Sequence, residues 1–474
     1  MAISRRTLLT SATGSVVALA LPGCGRRVES ADVVVIGAGL AGLHAARLLE
    51  GKGASVTVLE AGSRVGGRVQ TLYDAPGAPE LGATDIGTIY TRVLETASEL
   101  GLETKPWPGG MPTYWFHVKG KSFTAAEWPD LEINTFEGKL RGVNPSGFAQ
   151  VFMPRPNPLP DLDAWLSEDF AAYDVPYGQF LKDQGAPAKA LEYVQIGQQF
   201  DDLDELSALW LMRGGRFTLS SMEAAFSEGK PIRYFMAGGM SRLTDAMAAS
   251  LTEEVRLGHR VVAIEQDSEG LTVSCENGAR LRGRFVICTA PLTIVRSIAI
   301  QPALPALVAE AVERIPYGQA TSVVLHVLEP YWEDDGLPAN MWTDLPINRA
   351  FVTPSPTGDG DHLWVFTTGR ADLARRGWDD DEIARFVMAE LNRVRPSTVG
   401  RLEPAGVRAW TRDPNVLGTY AFRSPGQVQR YGRILSEPVG RLLFAGEHTS
   451  VRSQGMEGAM ESGETAARAV IGQL

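Results

Sequence analysis

Residues 33–67 read VVVIGAGLAGLHAARLLEGKGASVTVLEAGSRVGG, with two apolar runs on either side of a glycine-rich turn and an Ala- and Leu-rich segment. The spacing predicts a buried strand from Asp32 to Ile36, because a continuous apolar run is typical of a parallel sheet. A helix should follow the glycine turn, since Gly42, Ala45, Ala46 and Leu49 recur at helical spacing. A second strand is expected at 55–59. The stretch therefore predicts a complete βαβ unit.

The turn between the first strand and the helix has the pattern GxGxxG, and an acidic residue, Glu60, follows the last glycine by eighteen positions. This order of elements is typical of dinucleotide binding, because glycines let the backbone approach a pyrophosphate and a helix N-terminus stabilises its charge. Glu60 is expected to accept hydrogen bonds from ribose hydroxyls. The alternative is a glycine-rich turn without a ligand. The residues predicted to contact the cofactor here are Gly37, Gly39, Leu40, Ala41, Gly42, Glu60 and Ala61.

Composition limits the class of protein. The chain has 474 residues, enough for two or three domains with a sizeable core. Its formal net charge of −11 argues against a nucleic-acid partner, which would favour a basic face. Its six histidines lack ligand spacing and its three cysteines form no CxxC pair, so no metal site is expected.

The N-terminus, MAISRRTLLTSATGSVVALALPGCG, differs from the rest of the chain. Arg5 and Arg6 resemble a twin-arginine export signal, and the apolar run 16–21 falls far short of the roughly 20 residues that span a bilayer. We expect residues 1–30 to be a cleaved signal and the protein to be exported to the periplasm. Cys24 lies in a sequence that resembles a lipoprotein cleavage box, so lipid attachment there stays open, as does a cytosolic tail with two chance arginines.

The remaining chain alternates between regular and irregular stretches. Residues 106–160 are rich in Pro, Gly and aromatic residues and predict loops and edge strands. The other predicted elements are helices over 162–225, strands within 255–288, 321–328, 362–368 and 441–445, and a helix over 455–471.

Several motifs, in the same order along the chain, resemble those of the flavin-containing amine oxidase superfamily, which includes monoamine, polyamine and L-amino acid oxidases. They are EAGSRVGGR (60–68), ELGATDIG (80–87), SALW (207–210), RIPYGQATSVVLHVLEPYW (314–332) and FAGEHTSVRSQGMEGAMESGETAARAV (444–470). The resemblance implies an α/β fold in which a discontinuous Rossmann-like FAD-binding domain is interleaved with an α+β substrate domain. The expected boundaries are 31–110, 240–310 and 425–474 for the FAD-binding domain, and 111–239 and 311–424 for the substrate domain.

The resemblance assigns further cofactor positions. Arg68 matches the arginine beside the diphosphate, Val262 the residue whose backbone meets the adenine, and Trp410 the tryptophan that packs by the isoalloxazine. Glu447 would lie by the ribitol, and the Met456 N–H would meet the flavin pyrimidine carbonyl. The loop Gly82, Ala83, Thr84 would also contact FAD. Covalently flavinylated members have a cysteine where this chain has Thr419, so FAD is expected to be non-covalent.

The sequence departs from the family pattern around the substrate. Tyr420 matches one wall of the aromatic cage, but the other wall is Gly455. The lysine that holds a water near flavin N5 falls at Ser322, and no lysine occurs after Lys230. Asp85 stands where amino acid oxidases have a carboxylate-binding arginine. The expected catalytic residues are Tyr420, Ser322 and Asp85, and the expected substrate contacts are Tyr420 and Gly455.

The leading functional hypothesis is oxidation of a small-molecule amine. The resemblance implies hydride transfer from the carbon alpha to nitrogen to flavin N5, hydrolysis of the imine, and electrons passed to O2 or to a redox protein or quinone. A first alternative is an FAD-dependent dehydrogenase or desaturase of the same fold that acts on a non-amine substrate. A second is a flavoprotein that serves only as an electron carrier or interaction scaffold.

Overall fold

A computed structural model describes residues 29–109 and 112–474 of the chain. The predicted export signal, apart from its last two residues, and Cys24 lie outside the described residues. Among the helices that are described, none combines the length and the apolar character needed to cross a bilayer.

The described chain contains both strands and helices throughout, in a mixed order. The strands are β1 (Glu29–Ile36), β2 (Val56–Leu59), β3 (Ile86–Gly87), β4 (Thr104–Pro106), β5 (Tyr114–Val118), β6 (Lys121–Thr124), β7 (Arg233–Met236), β8 (Val261–Gln266), β9 (Leu271–Cys275), β10 (Arg280–Cys288), β11 (Ala299–Gln301), β12 (Ala320–Val327), β13 (Asn340–Thr343), β14 (Arg349–Thr353), β15 (His362–Thr368), β16 (Leu402–Ala409) and β17 (Leu442–Phe444). The α-helices are α1 (Leu40–Glu50), α2 (Thr91–Glu99), α3 (Phe148–Phe152), α4 (Tyr177–Asp183), α5 (Ala188–Gln195), α6 (Ala208–Glu228), α7 (Ser241–Ala249), α8 (Leu292–Val295), α9 (Ala306–Arg314), α10 (Tyr331–Asp335), α11 (Arg370–Leu373), α12 (Asp380–Val394), α13 (Gln427–Tyr431) and α14 (Gly455–Ile471).

The first sheet is built around the predicted βαβ unit. Its seven strands run β11-β8-β9-β10-β1-β2, with β17 also paired to β10. β1 pairs in parallel with both β2 and β10, and Val33, Val34 and Val35 are fully buried. An apolar run of this kind belongs in the centre of a parallel sheet, where both faces are covered. The α/β fold class and the βαβ unit are confirmed.

Helix α14 packs against α1 at very short range. An added Cβ on Gly463 of α14 would lie 2.3 Å from the backbone oxygen of Ala41 in α1. The two helices can approach this closely only because residue 463 has no side chain. The predicted C-terminal helix is confirmed at Gly455–Ile471.

A second sheet of seven strands has the order β16-β12-β15-β14-β13-β5-β6. Ser322 on β12 lies directly opposite Phe366 on β15 and Arg408 on β16. Directly opposed residues share a face of the sheet, so these three side chains point the same way. Within 106–160 the prediction of edge strands is wrong for β5, which lies between β13 and β6, whereas β6 is at the edge of this sheet. The sequence of β5, YWFHV, is apolar enough for an interior position in the sheet.

A small third sheet, β3-β7-β4, brings together segments that are distant in sequence. Ile86 pairs with Tyr234, and Thr104 pairs with Met236. The sheet places the end of the ELGATDIG motif beside the segment that follows α6. The aromatic core of the neighbouring helical layer packs around fully buried Trp128 and Trp165.

Candidate active site

A cavity of about 830 Å³ opens where the glycine turn after β1, the start of α14 and the second sheet meet. Its volume is within the range of small-molecule and cofactor sites, roughly 300–1,000 Å³. The structure brings most of the predicted site residues to its wall. They are Gly37, Gly39, Leu40, Ala41, Glu60, Ala61, Arg68, Gly82, Ala83, Thr84, Asp85, Ser322, Trp410, Tyr420, Glu447, Gly455 and Met456.

Two of the residues predicted to contact the cofactor, Gly42 and Val262, do not line the cavity. Gly42 does not line the cavity but packs between strand and helix, where an added Cβ would lie 2.0 Å from the backbone oxygen of Gly37. Val262 has a side chain that is 38% exposed and lies at an irregularity in the β8–β9 register. The buried neighbour Val261 lines the cavity instead. The contact predicted for Val262 is made by its backbone, so it stays a prediction, and the β-bulge at this position turns the Val262 side chain away from the cavity.

The glycine turn offers backbone donors to an anion. A Cβ on Gly39 would have only one neighbour, the Gly66 oxygen at 4.0 Å, so the backbone there faces open space. Gly39 caps α1 and has no side chain, so no side-chain cap occupies the N–H groups of the first helical turn. Free N–H groups at a helix N-terminus stabilise a phosphate. This cradle fits the diphosphate of a dinucleotide.

Glu60 lies at the end of β2 and is held in place by two backbone donors. Its Oε2 accepts from the Ala38 N–H at 2.9 Å, and its Oε1 accepts from the Gly62 N–H at 2.7 Å. An ionised carboxylate can accept about four hydrogen bonds, so acceptor capacity remains for ligand hydroxyls. The position fits the predicted ribose contact.

An ion pair between Arg68 and Glu447 lies in the cavity wall beside Tyr420. Arg68 Nη1 lies 2.8 Å from Glu447 Oε1 and donates to the Thr419 carbonyl at 2.6 Å. The Ala421 N–H donates to the same Glu447 oxygen at 3.0 Å. Burial opposes ionisation of Glu447, but the Arg68 charge holds the pKa of this carboxyl below its usual value. These contacts fix the backbone on both sides of Tyr420.

Two aromatic side chains from the same segment line the cavity. Tyr420 is 46% exposed, and its open surface faces the cavity. Desolvation raises the pKa of Tyr420 to about 12, so its hydroxyl stays protonated at neutral pH. Trp410 is almost fully buried, and its Nε1 donates to the Leu81 carbonyl at 3.3 Å. The indole is thereby fixed in one orientation.

Asp85 supplies a carboxylate to the cavity, and a nearby arginine partly offsets its charge. Its Oδ2 lies 3.8 Å from Arg233 Nη1 on β7, and Thr84 Oγ1 donates to its Oδ1 at 3.3 Å. Desolvation raises the pKa of Asp85 even though Arg233 acts in the opposite direction. The ionised carboxylate is the form that attracts a cationic ligand.

Ser322 is fully buried in the sheet and lines the cavity. Its hydroxyl has no hydrogen-bond partner among the residues that the structure describes. A cation that no motif signals, Arg408, lies on the same face of the sheet. Arg408 forms an ion pair with Asp413, and its guanidinium carbon lies 5.0 Å from the Trp410 ring centroid. Only the strand register reveals this neighbour.

The motifs do not signal several other wall residues, because these residues lie in loops or reach the cavity only through strand pairing. They include Tyr90, Gln199, Arg260, Val261, Trp364 and Phe366. Phe366 is signalled only by its position opposite Ser322. No sequence motif signals Tyr90.

No metal-binding cluster of three or more His, Cys, Asp or Glu side chains occurs within 29–109 and 112–474. The two cysteines in this part of the chain, Cys275 and Cys288, are buried thiols in the first sheet, and neither lines the cavity. Neither thiol can therefore reach a ligand in the cavity.

Comparison with known proteins gives the family. A sequence model of the family described as flavin containing amine oxidoreductase matches residues 40–471. The chain belongs to this family. The amine oxidase [flavin-containing] of Oncorhynchus mykiss is 28% identical over 461 residues, which cover 94% of this chain and 86% of the relative. Amine oxidase [flavin-containing] B of Homo sapiens is 28% identical over 459 residues, which cover 93% and 86%.

Solved structures share the fold over nearly the whole chain. Cyclohexylamine oxidase from Brevibacterium oxydans IH-35A has a TM-score of 0.76 at 25% identity and covers 94% of this chain and 99% of its own. Wild-type putrescine oxidase bound to putrescine has a TM-score of 0.75 at 23% identity, with the same coverage. The protein is a flavin-containing oxidoreductase, and its cofactor is FAD.

Proposed function

We propose that this enzyme oxidises a small-molecule amine at the carbon next to the nitrogen. The observation that carries the proposal is a single cavity that joins a dinucleotide cradle to a wall of Tyr420, Ser322 and Asp85. Bound FAD would supply the hydride acceptor for this reaction, and the imine product would hydrolyse in water. The relatives that are named as amine oxidases support the reaction class.

The cofactor would be held by residues at the cradle end. Gly39 and the first turn of α1 would bind the diphosphate, and Glu60 the ribose. Val261 would lie by the adenine, and Trp410 would pack beside the ring system. The start of α14 at Met456 would place a positive helix end against a carbonyl oxygen.

The substrate end must favour the neutral amine, because the lone pair is needed for oxidation. A primary alkylamine has a pKa near that of Lys, about 10.4, so deprotonation at pH 7 costs about 4–5 kcal/mol. Aromatic walls lower the pKa of a bound amine by desolvation. Tyr420, Trp364 and Phe366 provide such walls here.

Asp85 makes a simple amine a better substrate than an alpha-amino acid. The carboxylate would repel a second carboxylate and attract an ammonium group as it enters. The charge of Arg233, 3.8 Å away, offsets this attraction in part. Replacement of Asp85 would leave that arginine uncompensated, so the cavity would become repulsive to cations.

Anaerobic mixing with a panel of substrates tests the function. Simple amines are expected to bleach the flavin absorbance, and common L-amino acids are not. Asp85→Asn should raise the amine concentration needed for half-maximal bleaching by roughly tenfold, because one charge interaction is worth about 1–3 kcal/mol in a partly shielded site. Asp130→Asn, at an exposed position away from the cavity, is the control. Efficient bleaching by L-amino acids but not by amines would contradict the proposal.

A non-amine dehydrogenase or desaturase is the second candidate function. Gly455 and Ser322 favour it, because both depart from the residues that the family uses around an amine. The same panel separates the two functions, since a desaturase would not be bleached by any amine.

We also propose that the acceptor of the electrons is a quinone or a redox protein. Oxygen takes one electron first, so negative charge develops near the reduced cofactor, and a cation at about 5 Å would stabilise it by roughly 3 kcal/mol at an effective dielectric of about 20. Ser322 supplies no charge at the matched position, and the Arg408 charge is offset by Asp413.

Ser322→Lys is therefore expected to speed reoxidation by oxygen by up to about 100-fold, since 3 kcal/mol corresponds to about two decades. The substrate-reduced enzyme would be mixed with air-saturated buffer or with a quinone, and flavin absorbance followed. Ser322→Met, similar in length but uncharged, should show no gain. Fast oxygen reaction of the wild-type enzyme would contradict the proposal.

The location of the enzyme is a further part of the proposal. Residues 1–30 would direct export of the folded enzyme to the periplasm, and Cys24 is a candidate lipid attachment site. Fractionation of cells that express the wild type and an Arg5→Lys/Arg6→Lys variant tests this. The wild type should be periplasmic or membrane-attached, and the variant should stay in the cytoplasm. Equal distribution of the two proteins would contradict the export route.

A further inference from the structure

Tyr90 is a cavity residue to which neither the motifs nor the reaction gives a role. It immediately precedes α2 (Thr91–Glu99), and its side chain lines the cavity together with Asp85 and Tyr420. Its hydroxyl makes no hydrogen bond to any residue that the structure describes. The side chain is half-buried, so part of the phenol faces the open space.

Tyr90 lies across from the glycine at the start of α14. An added Cβ on Gly455 would lie 3.4 Å from the Tyr90 hydroxyl oxygen, and Gly455 has a φ of +55°. A side chain at position 455 would thus point directly at Tyr90. The Tyr90 hydroxyl therefore occupies the space into which a side chain at position 455 would extend.

The Tyr90 ring is held in this position from two sides. A Cβ on Gly87 would lie 2.9 Å from the Tyr90 Cε1, so the ring packs directly on the backbone of residue 87. The Phe217 ring packs against it with centroids 5.7 Å apart. The Tyr90 N–H also donates to the Gly87 carbonyl at 3.0 Å. A ring with support of this kind forms a fixed wall.

The wall is aromatic with a polar tip. Burial and the negative charges of Asp85 and Glu457 raise the pKa of Tyr90 above its usual value, so the phenol stays neutral. Aromatic faces pack against the carbon chain of a ligand, and a phenol can exchange a hydrogen bond with its nitrogen.

We infer that Tyr90 is a specificity-determining residue, whose ring sets the width of the cavity opposite Gly455 and restricts the substrate to amines with a slender, unbranched chain near the nitrogen. The inference rests on the proposed amine oxidation. Glycine at position 455 has no side chain to close this part of the cavity. The Tyr90 side chain, which immediately precedes α2, closes it instead. A branched amine would meet the ring and its Gly87 support.

Three variants test the inference by anaerobic flavin bleaching with a slender amine, n-butylamine, and a wide one, cyclohexylamine. Tyr90→Ala should shift the preference between them toward the wide amine by roughly tenfold or more, the scale on which a change in pocket size discriminates substrates. Tyr90→Phe should keep the wild-type preference. Tyr90→Ala/Gly455→Tyr, which refills the space from α14, should restore much of it.

Binding of tert-butylamine provides a readout that needs no turnover. This amine has no hydrogen on the carbon next to nitrogen, so it cannot be oxidised. It should bind several-fold more tightly to Tyr90→Ala than to the wild type when followed by the flavin spectrum. Phe226→Ala, which removes an aromatic ring that is 71% exposed on α6, should leave both measurements unchanged.

The outcomes separate the inference from the function on which it rests. If no amine bleaches the wild-type enzyme, the proposed function fails. If amines bleach the wild type but Tyr90→Ala keeps the same preference and the same tert-butylamine affinity, the inference alone is overturned. Should Tyr90→Ala lose FAD, Tyr90→Leu retains apolar volume and must still shift the preference toward the wide amine.

Discussion

Gly42→Ala is expected to destabilise the protein by about 3 kcal/mol or more and to abolish FAD retention. The new methyl group would lie 2.0 Å from the Gly37 oxygen, 3.1 Å from Thr289 Oγ1 and 3.1 Å from a methyl group of Val35. Overpacking of this kind costs about 1–3 kcal/mol or more when the neighbours cannot move, and here the nearest neighbour is backbone. Urea unfolding of the FAD-free protein measures the loss.

Gly39→Ala is the matched control for this experiment. Its methyl group would point into open cavity, so the FAD-free variant should unfold like the wild type. It should nevertheless bind FAD weakly, because the methyl group would stand where the diphosphate approaches. If Gly42→Ala unfolds at the wild-type urea concentration, the assignment of residue 42 to strand–helix packing is wrong.

Glu447→Ala is expected to cost about 3–5 kcal/mol of stability, because it leaves Arg68 as an uncompensated charge in the cavity wall. The Ala421 N–H would also lose its acceptor, so the backbone beside Tyr420 would be held less firmly. FAD content and thermal unfolding of the purified variant measure the two effects. Amine bleaching should fall along with FAD content.

An exposed ion pair provides the control for this second experiment. Glu265 and Arg280 lie 3.2 Å apart, and both side chains are 56% exposed. Pairs of this kind are worth about 0–1 kcal/mol, so Glu265→Ala should be close to wild type. Equal losses in Glu447→Ala and Glu265→Ala would show that the Arg68–Glu447 pair has no special role.

The structural elements that could be predicted from the sequence are those with a local periodic pattern. The apolar run of β1, the helical spacing of α1 and the glycine pattern between them lie within one short stretch, so each could be inferred without knowledge of tertiary contacts. The helix at Gly455–Ile471 was predicted for the same reason. Most of the predicted site residues line the cavity, and many of them lie in turns at the ends of β1, β2 and β17.

The remaining cavity residues could not be predicted, because their positions depend on strand register and on contacts between distant segments. Val261 lines the cavity beside a β-bulge at Val262, and no local pattern predicts a bulge of one residue. Arg408 and Phe366 flank Ser322 only through pairing of three separate strands. Tyr90 reaches Gly455 across a sequence separation that periodicity does not address.

The close contact between Gly463 and Ala41 has a consequence for biosynthesis. The contact joins α1, which follows the glycine turn, to α14. The Arg68–Glu447 pair likewise joins an N-terminal segment to the segment that precedes α14. A nascent chain that has left the ribosome only in part therefore has a glycine turn but no closed cavity. The cavity can therefore close around a cofactor only once α14 has been synthesised, and removal of α14 should yield colourless protein.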